Sequence, residues 1–234
     1  MQIKILQLIE GAKQARGLAV IIDVFRAFSV ACYLYNNGAS RVIPVGELNT
    51  AYQLKKDNPD FILLGEREGK ILPGFDYGNS PTHIKDVDFT GKTIVHTTSA
   101  GTQGIVNVDH AGEIITASFV NAGAVVRYIN QSSFDRVSLV CMGNAGVRPA
   151  DEDTMCAQYI KNRLAGKAND REKIVAELRK DSGKRFFDPA NREWSPPADF
   201  DLCLKFEIFN FILKAEPCQE LGKDIYVLEC HSIK

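Results

Sequence analysis

Carboxylates, guanidinium groups and hydroxyls recur at a few loop positions of this chain, and together they suit the handling of a small anion. Thr97-Thr98-Ser99-Ala100-Gly101-Thr102 offers hydroxyls and a flexible glycine where a helix is expected to begin. That composition can cradle phosphate through N–H and O–H donors. Gly78-Asn79-Ser80-Pro81 adds an amide and a hydroxyl in a rigid turn. Arg26 and Arg67 each follow an apolar, strand-like run, and a guanidinium pairs bidentately with phosphate, sulfonate or carboxylate oxygens. Asp23, Glu66, Asp76, Glu152 and Asp153 supply carboxylates for a hard cation such as Mg²⁺, which needs only one or two of them and keeps several waters. Each pattern also has a plainer use. Hydroxyls cap helices, exposed arginines are ordinary, and Glu152 and Asp153 fit the acidic first turn of a helix.

Several familiar chemistries are excluded by spacing. There is no Walker A pattern, no GxGxxG after a strand, no GxSxG elbow and no HExxH. The four histidines (His83, His96, His110, His231) have no ligand spacing, and the place two residues after Asp23 is held by Phe25, where a haloacid-dehalogenase phosphatase needs a second acid. Six scattered cysteines lack a CxxC pair and read as free thiols in a reducing compartment. Cys141 ends an apolar run, but no histidine stands within a predictable reach, so a core thiol is the expectation.

The loops need elements to position them. A hydrophobic share of 45% with 24% charged residues is the balance of a globular chain with a full core. A net charge of -1 gives no global field toward nucleic acid or an anionic membrane. The longest apolar run, Leu18–Ile22, is far too short for a membrane span, and Met1–Glu10 reads as a first strand rather than a leader, so a cytoplasmic protein is expected.

Two stretches, about 17–69 and 91–146, follow one pattern. Strands are expected at Leu18–Ile22, Arg41–Val45 and Phe61–Leu64, with helices at Phe28–Asn36 and Asn49–Lys56 between them. The second stretch repeats this with strands Thr93–His96, Glu113–Ala117 and Val137–Cys141 and a helix at Asn121–Ile129, and the glycine landmarks keep nearly constant offsets. Short apolar strands alternating with helices predict an α/β fold, layered α/β/α, with a mainly parallel sheet and an internal pseudo-repeat, in a single domain over 1–234. Further on, helices are expected at Asp151–Leu164, Asn169–Lys180 and Phe200–Leu213, then a last strand at Ile225–Cys230. In such sheets ligands collect beyond the carboxyl ends of the strands, and that is where Asp23, Arg26, Glu66, Arg67 and the 97–102 loop fall.

Taken in order, Val20-Ile-Ile-Asp-Val-Phe-Arg-Ala27, Gly65-Glu-Arg67, Pro73-Gly-Phe-Asp-Tyr-Gly-Asn-Ser-Pro81, Thr97-Thr-Ser-Ala-Gly-Thr102, Ser118-Phe-Val-Asn121 and the Gly143 loop followed by Glu152-Asp153 resemble the 2-phosphosulfolactate phosphatase (ComB) family. The resemblance spans nearly the whole chain, with specific motifs from residue 20 to 153. It implies a Mg²⁺-dependent phosphatase that converts 2-phospho-3-sulfolactate to 3-sulfolactate and phosphate, a step associated with coenzyme M biosynthesis. The positions it points to are Asp23, Arg26, Glu66 and Arg67 as catalytic residues. Asn79, Ser80, Thr97, Thr98, Ser99, Gly101, Thr102 and Asn121 are then expected to bind substrate, and Asp23, Glu152 and Asp153 to hold the metal. Many members carry Thr-Asn before the Gly-Thr where this chain has Ser99-Ala100, which leaves its anion loop one amide donor shorter.

Such a substrate carries roughly four negative charges at neutral pH, so a protein of net charge -1 must concentrate cations locally. Attack by a water that is metal-bound or carboxylate-oriented and a covalent route through Asp23 both stay open at this stage. Also open are a phosphatase for another small 2-phospho acid and a non-catalytic binder of small anions. The expected partner is a small phosphorylated sulfonate or hydroxy acid, with neither nucleic acid nor membrane, and a homo-oligomer fits a protein of this class and size.

Overall fold

A strand at Leu18–Ile22 is apolar at every position, so it must be covered on both faces. A computed structural model of the chain describes residues 1–223 and 225–233 and provides that cover. The chain opens with β1 (Gln2–Gln7), α1 (Leu8–Gln14), β2 (Gly17–Ile22), α2 (Ala27–Asn36), β3 (Arg41–Val45), α3 (Leu48–Asp57), β4 (Ile62–Arg67), β5 (Lys70–Ile71) and a single helical turn, α4 (Pro81–Ile84). It continues with β6 (Thr93–Thr97), α5 (Gly101–Val106), β7 (Ala111–Ala117), α6 (Ala122–Gln131), β8 (Arg136–Cys141) and α7 (Asp151–Leu164). Then come α8 (Arg171–Lys180), 3₁₀ turns at Ser182–Phe187 and Pro189–Asn191, α9 (Pro197–Cys203), β9 (Phe211–Pro217) and β10 (Tyr226–Ser232).

Among the described residues ten strands form one mixed, mostly parallel sheet in the order β1-β8-β2-β7-β9-β10-β3-β6-β4-β5. β1, β8, β2 and β7 run parallel, as do β3, β6 and β4. The β9–β10 hairpin stands between these groups, antiparallel to both neighbours. β2 lies between β8 and β7, and β6 lies between β3 and β4, so the strands that precede the two main loops are both interior. At the β10–β3 seam the Tyr35 hydroxyl accepts from Val42 N at 3.1 Å and donates to the Leu228 carbonyl.

Alternation along each strand sends side chains to opposite faces and builds the layers. Ala19 and Ile21 of β2 pack with Val42, Leu64, Ile94 and Val140 from other strands, under Phe28 of α2 and Ile105 of α5. Leu18, Val20 and Ile22 face the other way, onto α6, α7 and α9. On that second face Ile43, Leu63 and Val95 of the other parallel group pack against Ala51 and Leu54 of α3.

Two expectations are corrected. Phe200–Leu213 is not one helix: α9 ends at Cys203 and the apolar residues from Phe211 form β9. A short apolar run has no periodicity that separates strand from helix, and pairing along the whole of β10 decides it. The opening strand stops at Gln7, and Leu8–Gln14 is helical. By contrast, α7 spans Asp151–Leu164 as its acidic first turn and basic last turn suggest.

Candidate active site

Loops that follow β2, β4, β6 and β8 line one cleft of about 580 Å³, closed on its far side by residues of the 181–195 segment. Asp23 stands directly after β2; its N–H still donates to the Ala117 carbonyl of β7 at 3.3 Å, and the chain then turns into α2. Its Oδ1 accepts from Ala27 N at 3.0 Å, satisfying a donor at the start of that helix, while Oδ2 has no hydrogen-bond partner among the described residues. The turn contains a cis Phe25–Arg26 peptide.

α5 begins against the same turn. A Cβ at Gly101 would lie 2.7 Å from the Ala27 Cβ and 2.8 Å from Asp23 Oδ2, so only glycine allows this approach. Gly101→Ala is expected to cost about 1–3 kcal/mol through overpacking and to displace Asp23. Thermal unfolding of the variant checks it, and a parental unfolding temperature would show that the contact is slack.

Three further acids face Asp23. Glu66 accepts from Ser99 N at 2.8 Å and from Gly69 N at 2.6 Å, which ties the β4 turn to the loop after β6. Glu152, in the first turn of α7, is buried, and its Oε2 has no partner. Asp153 accepts from Val24 N and from Gly143 N, each at 2.8 Å, locking the turn after β2 to the loop after β8. Gly143 holds φ at +65°, and a Cβ there would sit 2.2 Å from the Arg148 carbonyl oxygen.

Burial dominates the acidities of this group. Asp23 is pushed up to about 7 by burial, with the Glu152 and Glu66 charges adding to the rise and the Ala27 N–H and Arg185 opposing it. Glu152 is raised by burial, against the Ser182 hydroxyl and Arg185. Asp153 is raised well above the carboxylate range by burial and by Asp23 and Glu152, despite its two backbone donors. A carboxylate cluster pushed toward its neutral forms has the electrostatics of a site that gains from a cation.

Of the cations, Arg26 is already engaged. Its Nη1 donates to the Trp194 carbonyl at 2.5 Å and to Asp199 Oδ2 at 2.6 Å, and its Nη2 donates to the Gly69 carbonyl at 3.4 Å. Asp199 is fully buried, and its Oδ1 also accepts from Ser80 Oγ, Thr82 N and Thr82 Oγ1 at 2.6–2.9 Å. Arg185 donates from Nη2 to the Phe25 carbonyl at 2.7 Å, while its buried Nε has no partner. Burial, and then Arg26, lower its pKa; Glu152, Asp23 and Glu66 act the other way.

Among the residues expected from the sequence, Asp23, Arg26, Glu66, Asn79, Thr98, Ser99 and Glu152 line the cleft. The others stand behind it. Arg67 donates to the carbonyls of Glu66 and Gly46 and to Thr97 Oγ1, so it and Thr97 brace β4 against β6. Thr102 Oγ1 accepts from Thr98 N, and Ser80 acts through Asp199. Asn121 Oδ1 accepts from Ser118 N and its Nδ2 donates to the Thr116 carbonyl, capping the turn into α6. Asn79 Oδ1 meets Nε2 of the buried His96 at 3.2 Å, and burial holds that imidazole neutral by lowering its pKa to about 3. Nε2 therefore donates, and the Asn79 NH₂ is left for the cleft. Asp199, Arg185, Ser182 and Trp194 were not foreseen. Asp199 resembles any acid in a helix's first turn, and Arg185 lies in a stretch with no motif.

Among the described residues no three His, Cys, Asp or Glu side chains are so grouped that they could hold a metal ion by themselves, and no helix is long and apolar enough to cross a membrane. The family model for 2-phosphosulpholactate phosphatase matches residues 3–216. A probable 2-phosphosulfolactate phosphatase of Thermoplasma volcanium is 28% identical over 209 residues, 88% of this chain and 94% of the relative. One from Thermotoga petrophila is 44% identical over 152 residues, 65% of this chain and 63% of the relative. Another, from Caldanaerobacter subterraneus, is 41% identical over 147 residues, and there the aligned part spans 62% of this chain and 60% of the relative's length. With a family match running through every loop of the cleft, this chain belongs to the 2-phosphosulfolactate phosphatase (ComB) family.

Proposed function

We propose that this chain is a Mg²⁺-dependent phosphatase that hydrolyses 2-phospho-3-sulfolactate to 3-sulfolactate and inorganic phosphate. One observation carries the reading. On a chain of this family, a single cleft joins a carboxylate that ionises near neutrality to a second carboxylate with an unpartnered oxygen, beside hydroxyl and amide donors.

The donor set fits a magnesium ion. Glu152 Oε2 is buried without a partner and Asp23 Oδ2 is free, and two carboxylates with water completing the shell are what this ion takes. Glu152 would hold it directly and Asp23 through one of its waters, and Asp153, whose oxygens both accept backbone N–H groups, would set their loops. When bound, the ion would neutralise charge on the phosphoryl oxygens and acidify water.

Water adds to phosphorus, the ester P–O bond breaks, and its electron pair leaves on the C2 oxygen, which takes a proton from solvent. Asp23 orients the attacking water and takes its proton; a pKa of about 7 suits a base at neutral pH. The Thr98 hydroxyl and the outward NH₂ of Asn79 hold substrate oxygens through neutral donors, so that not every anionic oxygen needs a cation, while Ser99, whose N–H and hydroxyl both donate to Glu66, shapes the loop. Glu66 keeps the β4 turn and the 98–101 loop in register. Arg67, Ser80, Thr97, Thr102 and Asn121 support this arrangement from behind, and Arg26 with Asp199 fixes the near wall. The same reading takes the chain as one domain, self-associating as a homo-oligomer, in the cytoplasm, where six free thiols stay reduced.

Phosphate release from a panel of 2-phospho acids, with and without Mg²⁺ or EDTA, tests the function. The expected result is metal-dependent release that is fastest from phosphosulfolactate. Faster release from a phospholactate or phosphoglycolate would move the substrate assignment, and binding of sulfolactate with no release from any member would replace the enzyme with a binder.

A further inference from the structure

We propose that Arg185 is the guanidinium that binds the phosphoryl oxygens of the substrate, carried to the cleft by the 3₁₀ turn at Ser182–Phe187. Arg185 Nε, Ser182 Oγ and Glu152 Oε2 are buried polar atoms of residues that line the cleft; the Ser182 hydroxyl lies near enough to Glu152 to lower its pKa, which leaves Arg185 Nε as the charged donor with no partner. They alternate in character, with a cationic donor and a hydroxyl next to an anionic acceptor. A buried donor left unmade is costly, more so when charged, and a tetrahedral oxyanion seated against Arg185 and Ser182 would relieve it.

Arg185 also has the right surroundings. It feels the charges of Asp23, Glu152 and Glu66, yet forms no ion pair within 4.0 Å among the described residues, so space remains between the guanidinium and the acids. That space is at the reacting end of the cleft. Arg26 cannot serve in the same way, because its guanidinium is bound to Asp199 and two carbonyls. Arg26 lies 5.8 Å from the Phe186 ring centre and Arg185 lies 5.0 Å from it, so one ring positions both. Asn191 Nδ2 donates to the Arg185 carbonyl at 3.2 Å, and the Phe25 carbonyl holds Nη2. The donor is therefore fixed before ligand arrives, which is what an oxyanion site requires.

The identity of the bound group as a phosphoryl rests on the phosphatase reading; an anion site at Arg185 does not. Inorganic phosphate and methanesulfonate serve as probes, titrated by calorimetry against the parent chain, Arg185→Gln, Arg185→Lys and the surface control Arg136→Gln, with thermal unfolding run on each. The expected result is that Arg185→Gln weakens phosphate binding at least 10-fold and lowers kcat/KM by about 10²–10³. Arg185→Lys, which keeps the charge without the fork, is expected to recover part of both, and the control to match the parent. Parental phosphate affinity in folded Arg185→Gln, or in Arg185→Lys should the glutamine variant fail to fold, overturns the proposal. Loss of methanesulfonate binding alone overturns it too, since the guanidinium would then read the sulfonate. Phosphate binding that depends on Arg185 in a chain that hydrolyses nothing would sustain the anion site and remove the enzymatic reading instead.

Discussion

An Asp23→Asn variant is expected to lose kcat by about 10²–10⁴-fold, the usual worth of a positioned acid–base group, and yet to unfold at a higher temperature than the parent at pH 8. The amide oxygen can still accept from Ala27 N, so the start of α2 is kept. What disappears is a buried charge. The Asp23 pKa is raised from 3.8 to about 7 by burial, with help from Glu152 and Glu66. Between those two values the folded, ion-free chain binds more protons at this site than the unfolded chain does, so stability falls as pH rises through the window and the full penalty is present above it. That penalty is about 4 kcal/mol at most. The stabilisation of the variant should therefore be larger at pH 8 than at pH 5, and added Mg²⁺ should raise the unfolding temperature of the parent more than that of the variant. Unfolding scans at the two pH values in EDTA and again with Mg²⁺, together with rates of phosphate release, check all three. A variant with parental kcat would take Asp23 out of the chemistry.

Asp199→Ala is expected to be the most destabilising single change near the cleft. The Asp199 carboxylate is fully buried and joins three segments: Arg26 of the β2 turn, Ser80 and Thr82 at α4, and its own helix α9. Removing it strands a buried guanidinium and leaves Ser80 Oγ, Thr82 N and Thr82 Oγ1 without their acceptor. Breaking a buried ion pair from one side costs about 3–5 kcal/mol, a fall in Tm of roughly 6–20 °C for a domain of this size. Activity should fall with it, through a misplaced Arg26 and Trp194. The double variant Arg26→Met with Asp199→Ala is expected to be less damaged than the two single effects added together. Additive losses would show that the pair is not coupled.

These two carboxylates differ in how readable they were. Asp23 follows five fully buried apolar residues, and that position, at the carboxyl end of an interior strand, marks a ligand-facing loop before any coordinates are known. Glu66, Thr98 and Ser99 were legible on the same ground, and Asn79 as an amide in a rigid Gly/Pro turn. Asp199 sits two residues into a short helix after Pro196-Pro197, where acids are common, and nothing local says that four donors from distant segments converge on it. Arg67 shows the converse. It has the residue type and the strand-end position of an anion ligand, but its guanidinium reaches back to Gly46 and Thr97.

By itself the sequence determined the alternation of buried strands and helices, the two hydroxyl-rich and acidic loops that end them, and the family to which they belong. Those features are local, since burial on both faces, helix charge bias and loop composition are written in consecutive residues. Tertiary structure alone decided that β9 and β10 part the two parallel groups, that Asp153 and Asn121 turn inward onto backbone donors, and that Arg185 rather than Arg67 lines the cleft with a buried N–H that has no partner. Which partner a side chain meets across 30 to 170 residues of chain depends on packing between elements, and a one-dimensional pattern carries no term for it.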